Sequence, residues 1–252
     1  MSAALHLERV SIALEGRVLI PPWSVGVPPG QVVTLMGPSG SGKSTLLSYL
    51  GGTLGAPFRA TGRVWIGARD VTEQPPEGRR IGILFQDDLL FPHLSVGENL
   101  AFGLRSTVRG RKLRASRIEA ALREAGLAGF ARRDPATLSG GQRARVALLR
   151  LLLAEPEALL LDEPFNRLDT MLRADFRRFV FEHAVAAGLP VLMVTHDWAD
   201  AEAAKGPVLE LGTAADGMPV IGAARVPVAI DAARAAIPIG GNRAPSGKGA
   251  DR

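Results

Sequence analysis

Cysteine is absent from all 252 residues. That excludes disulfides, iron–sulfur clusters and cysteine-based zinc sites, and it suits a cytosolic setting. Long apolar runs are missing as well. The best, Val146 to Ala154, is cut by Arg150, well short of the roughly 18 uncharged apolar residues a membrane-spanning helix needs. The opening segment, MSAALHLERV, places acidic Glu8 where a signal peptide would be apolar, so no export is expected. Acids are the minority charge, 25 against 30 bases, for a net charge of +5, and 26 of the bases are arginine. Between Arg105 and Arg117 there are six bases and no acid. Such a run could face nucleic acid or anionic lipid, although charge runs are more often a solvated helical face.

What is present is enough apolar material, 46 % of the chain, to bury a real core and exclude global disorder. The length suits one large domain, or one domain carrying an inserted subdomain. Strands and helices alternate along it, which predicts an α/β layer structure. Leu5 to Val27 reads as two or three β segments broken at Glu15-Gly16 and Pro21-Pro22. Val32 to Met36 is a short apolar strand of the buried parallel kind, followed by a glycine-rich loop and a helix from about Lys43 to Tyr49. Arg63–Ile66, Ile81–Phe85, Ala158–Leu161, Val191–Thr195 and Val208–Leu211 are further strands. Ser95 and Glu98 have capping-box spacing and should open a helix. Helices are also expected over Leu113–Ala125, Gln142–Ala154 and Met171–Ala187, the last with Leu172, Phe176 and Phe179 on one face. There is no internal repeat. Residues 213–252 form a tail rich in Ala, Gly and Pro, whose final part is expected to be disordered.

Gly37 to Thr45 reads GPSGSGKST, a match to GxxxxGK[ST] set between a buried strand and a helix. The pattern needs Gly37 and Gly42 so that the backbone can curl around a phosphate. N–H groups of the loop (Gly37, Ser39, Gly40, Ser41 and Gly42, with Pro38 having none) and the N-terminus of the following helix would face the β-phosphate. Lys43 can reach the β- and γ-phosphates, and the Ser44 hydroxyl can bind Mg²⁺. About 95 residues downstream, Leu138 to Gln142 reads LSGGQ and opens another helix. Ser139 offers a hydroxyl there, and Gly140 and Gly141 offer bare N–H groups at a positive helix end. Taken alone, this would read as a serine–glycine helix cap.

The two loops in this order closely resemble the ATP-binding cassette family. The resemblance spans about residues 5 to 212 and implies a phosphate-loop NTPase core sheet, an N-terminal antiparallel β region and an α-helical subdomain inserted at about 87–156. In ALLLDEP, Ala158 to Pro164, a buried strand delivers Asp162 to the sheet rim, where it can hold a Mg²⁺-bound water. The resemblance makes Glu163 the base that polarises the attacking water. It also implies that Gln86 senses metal and water, that Asp169 lies in a loop crossing a dimer interface, and that His196 contacts the γ-phosphate. His6, His93 and His183 match no motif. Two departures stand out. Leu14 occupies the place where an aromatic residue usually stacks on adenine, and the crossing loop carries Asn166 and Arg167 where small residues are commoner. Arg167 could add an interface ion pair or simply face solvent.

The text around Gln86, RRIGILFQDDLLFPHLSVGENL, is similar to importer cassettes, and the chain as a whole resembles thiamine-type and related uncharacterised cassettes. The resemblance implies an ATP-hydrolysing subunit powering bacterial import of a small solute. It would work with ATP and Mg²⁺ as a homodimer on the cytoplasmic face of the inner membrane. Integral membrane permease subunits and a solute-binding protein would be its partners, and no nucleic acid is expected. The alternative is a soluble cassette ATPase acting on nucleic acid or ribosomes, for which the basic segment is the best support. A phosphate-loop kinase would leave LSGGQ unexplained.

Overall fold

The computed structural model describes residues 3–214 and 217–223. Strands β1 (Leu5–Leu14) and β2 (Arg17–Val27) form a hairpin across Glu15-Gly16. Both turn residues have positive φ, 49° and 86°, as the tightest hairpin turns require. Pro21-Pro22 does not break the second strand, contrary to the sequence expectation. β2 is an edge strand, and its pairing with β1 steps from Ile20↔Ile12 to Trp23↔Val10 across an irregularity. The missing proline N–H groups therefore cost no ladder bonds.

β3 (Val32–Met36) is buried along its whole length, and α1 (Lys43–Gly51) follows the glycine-rich loop. β4 (Phe58–Ile66) begins five residues earlier than its sequence pattern indicated, because it pairs with β1 down to Leu14↔Phe58. β5 (Arg69–Asp70) completes an antiparallel sheet of order β2-β1-β4-β5. A short α2 (Pro76–Arg79) leads into β6 (Ile81–Leu84). The stretch read as an inserted subdomain then holds α3 (Val96–Gly103), α4 (Arg111–Glu124) and α5 (Gly140–Leu152). Capping boxes start two of these helices: Ser95 with Glu98 on α3, and Ser139 with Gln142 on α5.

β7 (Ala158–Asp162), α6 (Thr170–Ala186), β8 (Val191–Thr195), α7 (Trp198–Ala204), β9 (Val208–Thr213) and β10 (Pro219–Ala223) complete the described chain. The second sheet has order β10-β9-β3-β8-β7-β6 and is parallel except for β10. β10 falls within the Ala-, Gly- and Pro-rich tail, where the sequence pattern predicts no strand. It starts with proline and sits at the sheet edge, where a weak apolar pattern suffices. The expectation of disorder at the chain's end lies outside the described residues.

Alternating side chains of the parallel strands feed two cores. Leu159, Leu161, Val191 and Met193 pack towards the helices with Phe165, Phe176 and Phe179. Leu160, Leu192, Val194, Val33 and Leu35 pack towards α1 and the antiparallel sheet. Leu172 departs from the expected apolar face of α6: it is 37 % exposed, and its side chain rests over Gly141 instead. The layering brings the C-terminal ends of β3, β6, β7 and β8 to one rim.

Candidate active site

The rim is built around the loop from β3 to α1. A side chain at Gly37 would bring its Cβ to 2.8 Å from the Leu211 carbonyl, and Gly42 caps α1 with φ 94°. Neither position tolerates a larger residue without strain. Lys43, the first residue of α1, is buried. Its Nζ donates to the Gly37 and Pro38 carbonyls at 2.8 Å each. Burial pulls its ammonium below the usual lysine range, against the nearby Glu163 and Asp162 charges. Ser44 Oγ donates to Asp162 Oδ1 at 3.0 Å. Burial raises the Asp162 carboxyl above the usual carboxylate range; the Ser44 bond opposes this, while the Glu163 charge adds to it.

Glu163 follows directly in a left-handed conformation, φ 46°. Strain of that kind in a non-glycine residue persists only where the surroundings hold it. Here its N–H donates to the Val194 carbonyl at 3.0 Å, locking the turn to β8. Its carboxylate is gripped at both oxygens. His196 Nδ1 lies 3.1 Å from Oε1, and the Asn166 amide donates to Oε2.

A cleft of about 510 Å³ opens over these groups. Ser39, Gly40, Gly42, Lys43, Ser44 and Thr45 line it together with Gln86, Asp162, Glu163 and Leu14. Pro38 and Ser41 border the adjoining hollow beside β9. Arg17 and Phe58 also line the cleft, and the sequence reading missed both. Phe58 is the cross-strand partner of Leu14, so an aromatic ring stands beside the position where the sequence lacks one. Only strand pairing reveals this. A larger cavity, of about 840 Å³, lies near Gly30, Phe181 and Ala204 at the opposite end of β3 and shares none of these groups.

The remaining candidates lie elsewhere on the same chain. Ser139 to Gln142 do not line the cleft, and Ser139 and Gln142 bond each other's backbone at 3.3 and 3.0 Å. Leu138, the first residue of the LSGGQ segment, is 4 % exposed and packs in the core, where it anchors the helix start. Asp169 caps α6 by accepting from the Leu172 N–H at 3.0 Å. Arg167 pairs within its own chain, with Asp87, and Arg143 of α5 bonds Asp88 at 3.1 Å. The two residues after Gln86 are thus tied to the loop before α6 and to the α5 helix.

The donor set suits Mg²⁺. Ser44 and Asp162 offer two hard oxygens in mutual contact, with room in the cleft for phosphate oxygens and water. Mg²⁺ is commonly held in this way, by one or two carboxylates plus substrate phosphates.

Fold and cleft together define a phosphate-loop nucleotide-binding protein. A family model described as ABC transporter matches residues 21–166. An Escherichia coli K12 protein named uncharacterized ABC transporter ATP-binding protein YnjD is 50 % identical over 199 residues, covering 79 % of this chain and 91 % of its own length. The putative 2-aminoethylphosphonate import ATP-binding protein PhnT of Salmonella typhimurium is 39 % identical, covering 79 % of this chain and 54 % of its own. The Fe(3+) ions import ATP-binding protein FbpC of Rhizobium etli is 44 % identical, covering 71 % and 50 % respectively. The chain therefore spans about half the length of the importer relatives it matches. It belongs to the ABC transporter family, as one of its ATP-binding, ATP-hydrolysing subunits.

Proposed function

We propose that this subunit powers import of a small solute through a bacterial membrane transporter, with Glu163 as the base that activates water. The observation that carries the reading is the convergence of Lys43, Ser44, Gln86, Asp162 and Glu163 on one cleft above the phosphate loop. Loop N–H groups and the N-terminus of α1 receive the β-phosphate. Lys43, now parked on two loop carbonyls, exchanges those bonds for phosphate oxygens. Ser44, Asp162 and the Gln86 amide hold Mg²⁺, which supplies charge neutralisation at the phosphates when bound. Glu163, held by His196 and Asn166, accepts the proton of the attacking water. His196, half exposed beside it, would release Glu163 Oε1 on turning to the γ-phosphate.

Because Ser139–Gln142 stay outside the cleft, a second copy supplies its signature helix to close the site, and Asp169 lies in the loop that crosses between copies. Membrane permease subunits would seat in the apolar groove lined by Phe85, Leu89, Phe91 and Phe102. This groove adjoins Gln86 and leaves Phe102 71 % exposed. A solute-binding protein completes the importer, and the subunit works on the cytoplasmic face of the inner membrane. Among the described residues, no helix is long and apolar enough to cross a membrane. The nucleic-acid alternative loses part of its basic segment to the fold. Arg105 pairs with Glu155 at 2.8 Å, and Arg114 bonds the Ala101 and Val108 carbonyls.

The test is Glu163→Gln. It should keep ATP binding, lose turnover by at least about a hundredfold, and accumulate an ATP-bound dimer in size-exclusion chromatography. Near-parental hydrolysis would overturn the assignment.

A further inference from the structure

We infer that Asn166 is a positioning residue for the hydrolytic step, acting through Glu163, whose proposed role as base this inference rests on. Asn166 sits three residues after Glu163 in the loop before α6, half-buried, with its own N–H donating to the Glu163 carbonyl at 3.3 Å. Its side-chain amide has one possible orientation. Arg173 carries only donors and lies 3.4 Å from Asn166 Oδ1, while the ionised Glu163 carboxylate only accepts. Turning the amide over would set NH₂ against guanidinium and carbonyl against carboxylate. The amide therefore has to donate to Glu163 Oε2.

The anchor behind it is rigid. Arg173 bonds Asp200 at 2.6 and 3.2 Å and Asp197 at 2.8 Å, and Asp200 is fully buried. A chain of fixed groups runs from the core through Arg173 and Asn166 to one oxygen of Glu163, while His196 holds the other. His196 is half exposed and would leave Glu163 if it turned to a phosphate. Asn166 would then be the side-chain contact that keeps the carboxylate aimed. A misplacement of about 1 Å at a reacting group can cost on the order of a hundredfold in rate.

The experiment compares Asn166→Asp and Asn166→Ala with the parental full chain, in steady-state ATP hydrolysis with Mg²⁺. Turnover is measured alone and with membrane partners from the same transporter. The Asp variant keeps the shape and the Arg173 partner but replaces the donor by a second carboxylate; the Ala variant removes the whole amide. For both, kcat should fall by about tenfold or more while KM for ATP stays within about threefold, the mark of an interaction used only in the reacting state. Melting temperatures near the parental value would show that the fold is kept. Parental kcat in both variants, with Glu163→Gln inactive beside them, would overturn the positioning role and leave the base assignment standing. Near-parental turnover in Glu163→Gln would instead remove the base reading on which this inference rests.

Discussion

Asp200 is where this molecule places a charge at the greatest risk. It is fully buried, yet it accepts from Arg173 at 2.6 and 3.2 Å, from Arg177 at 2.6 Å and from Thr195 at 3.2 Å. Asp200→Asn keeps the shape, removes the charge and turns an NH₂ towards one guanidinium. A hydrogen bond to a charged group contributes about 1.5–3 kcal/mol, and breaking one side of a buried pair costs about 3–5 kcal/mol. Two features reduce the loss here. The arginine side chains are 19 % and 15 % exposed, so water recovers part of their solvation, and Arg173 keeps Asp197 at 2.8 Å. The expected cost is then about 3 kcal/mol, near the bottom of that range. For a domain of this size it lowers Tm by about 6–12 °C. Calorimetry and urea unfolding with an unchanged m-value would measure it. The internal control is Asp175→Asn, which breaks the exposed pair to Arg178, with side chains 56 % and 68 % exposed. It should cost less than about 0.5 kcal/mol. A loss below about 1 kcal/mol for Asp200→Asn would refute the reasoning, because the network would then be no better than a surface pair.

The shared site is tested by mixing. Lys43→Ala damages the phosphate loop and Gly141→Asp puts a carboxylate on the signature helix, so each homodimer has two broken sites. Mixed dimers contain one intact site if sites form in trans, and ATP-dependent dimerisation should partly return in light scattering; mixed dimers without rescue would exclude the arrangement. At the base pocket, Leu14→Tyr should tighten ATP but not inorganic triphosphate if position 14 lies over adenine, with a gain of about 1 kcal/mol from stacking. Phe58→Ala should weaken ATP selectively by a similar amount, measured by calorimetric titration. Equal effects on ATP and triphosphate would place the base elsewhere.

Much of this chain is legible because its rules are local. The capping boxes at Ser95 and Ser139 are hydrogen-bond patterns confined to four consecutive residues, and both helices start there. The buried strands β3, β7 and β8 show as apolar runs, and the phosphate loop declares itself through its glycine spacing, with Gly40 and Gly42 both at positive φ. Other expectations failed where distant parts of the chain decide. Pro21-Pro22 survives inside β2 because β2 lies at a sheet edge, and edge position is a property of the whole sheet. β10 exists because β9 offers it an open edge. Leu172 leaves the core to cover Gly141, thirty-one residues away in sequence.

The active site divides in the same way. Which residues could bind phosphate, metal and water was written in the order of the motifs, since each motif is a short segment whose backbone shape depends on its own residues. How the motifs are held could not be read there. The Glu163 carboxylate lies between Asn166 and His196, and Asn166 is steadied by Arg173 on a buried Asp200. Phe58 reaches the cleft beside Leu14 through strand register, and Arg167 closes on Asp87 across eighty residues. Those contacts join residues far apart in the chain, whose separation is set by how two sheets and their helices pack. Local pattern carries no information about that packing.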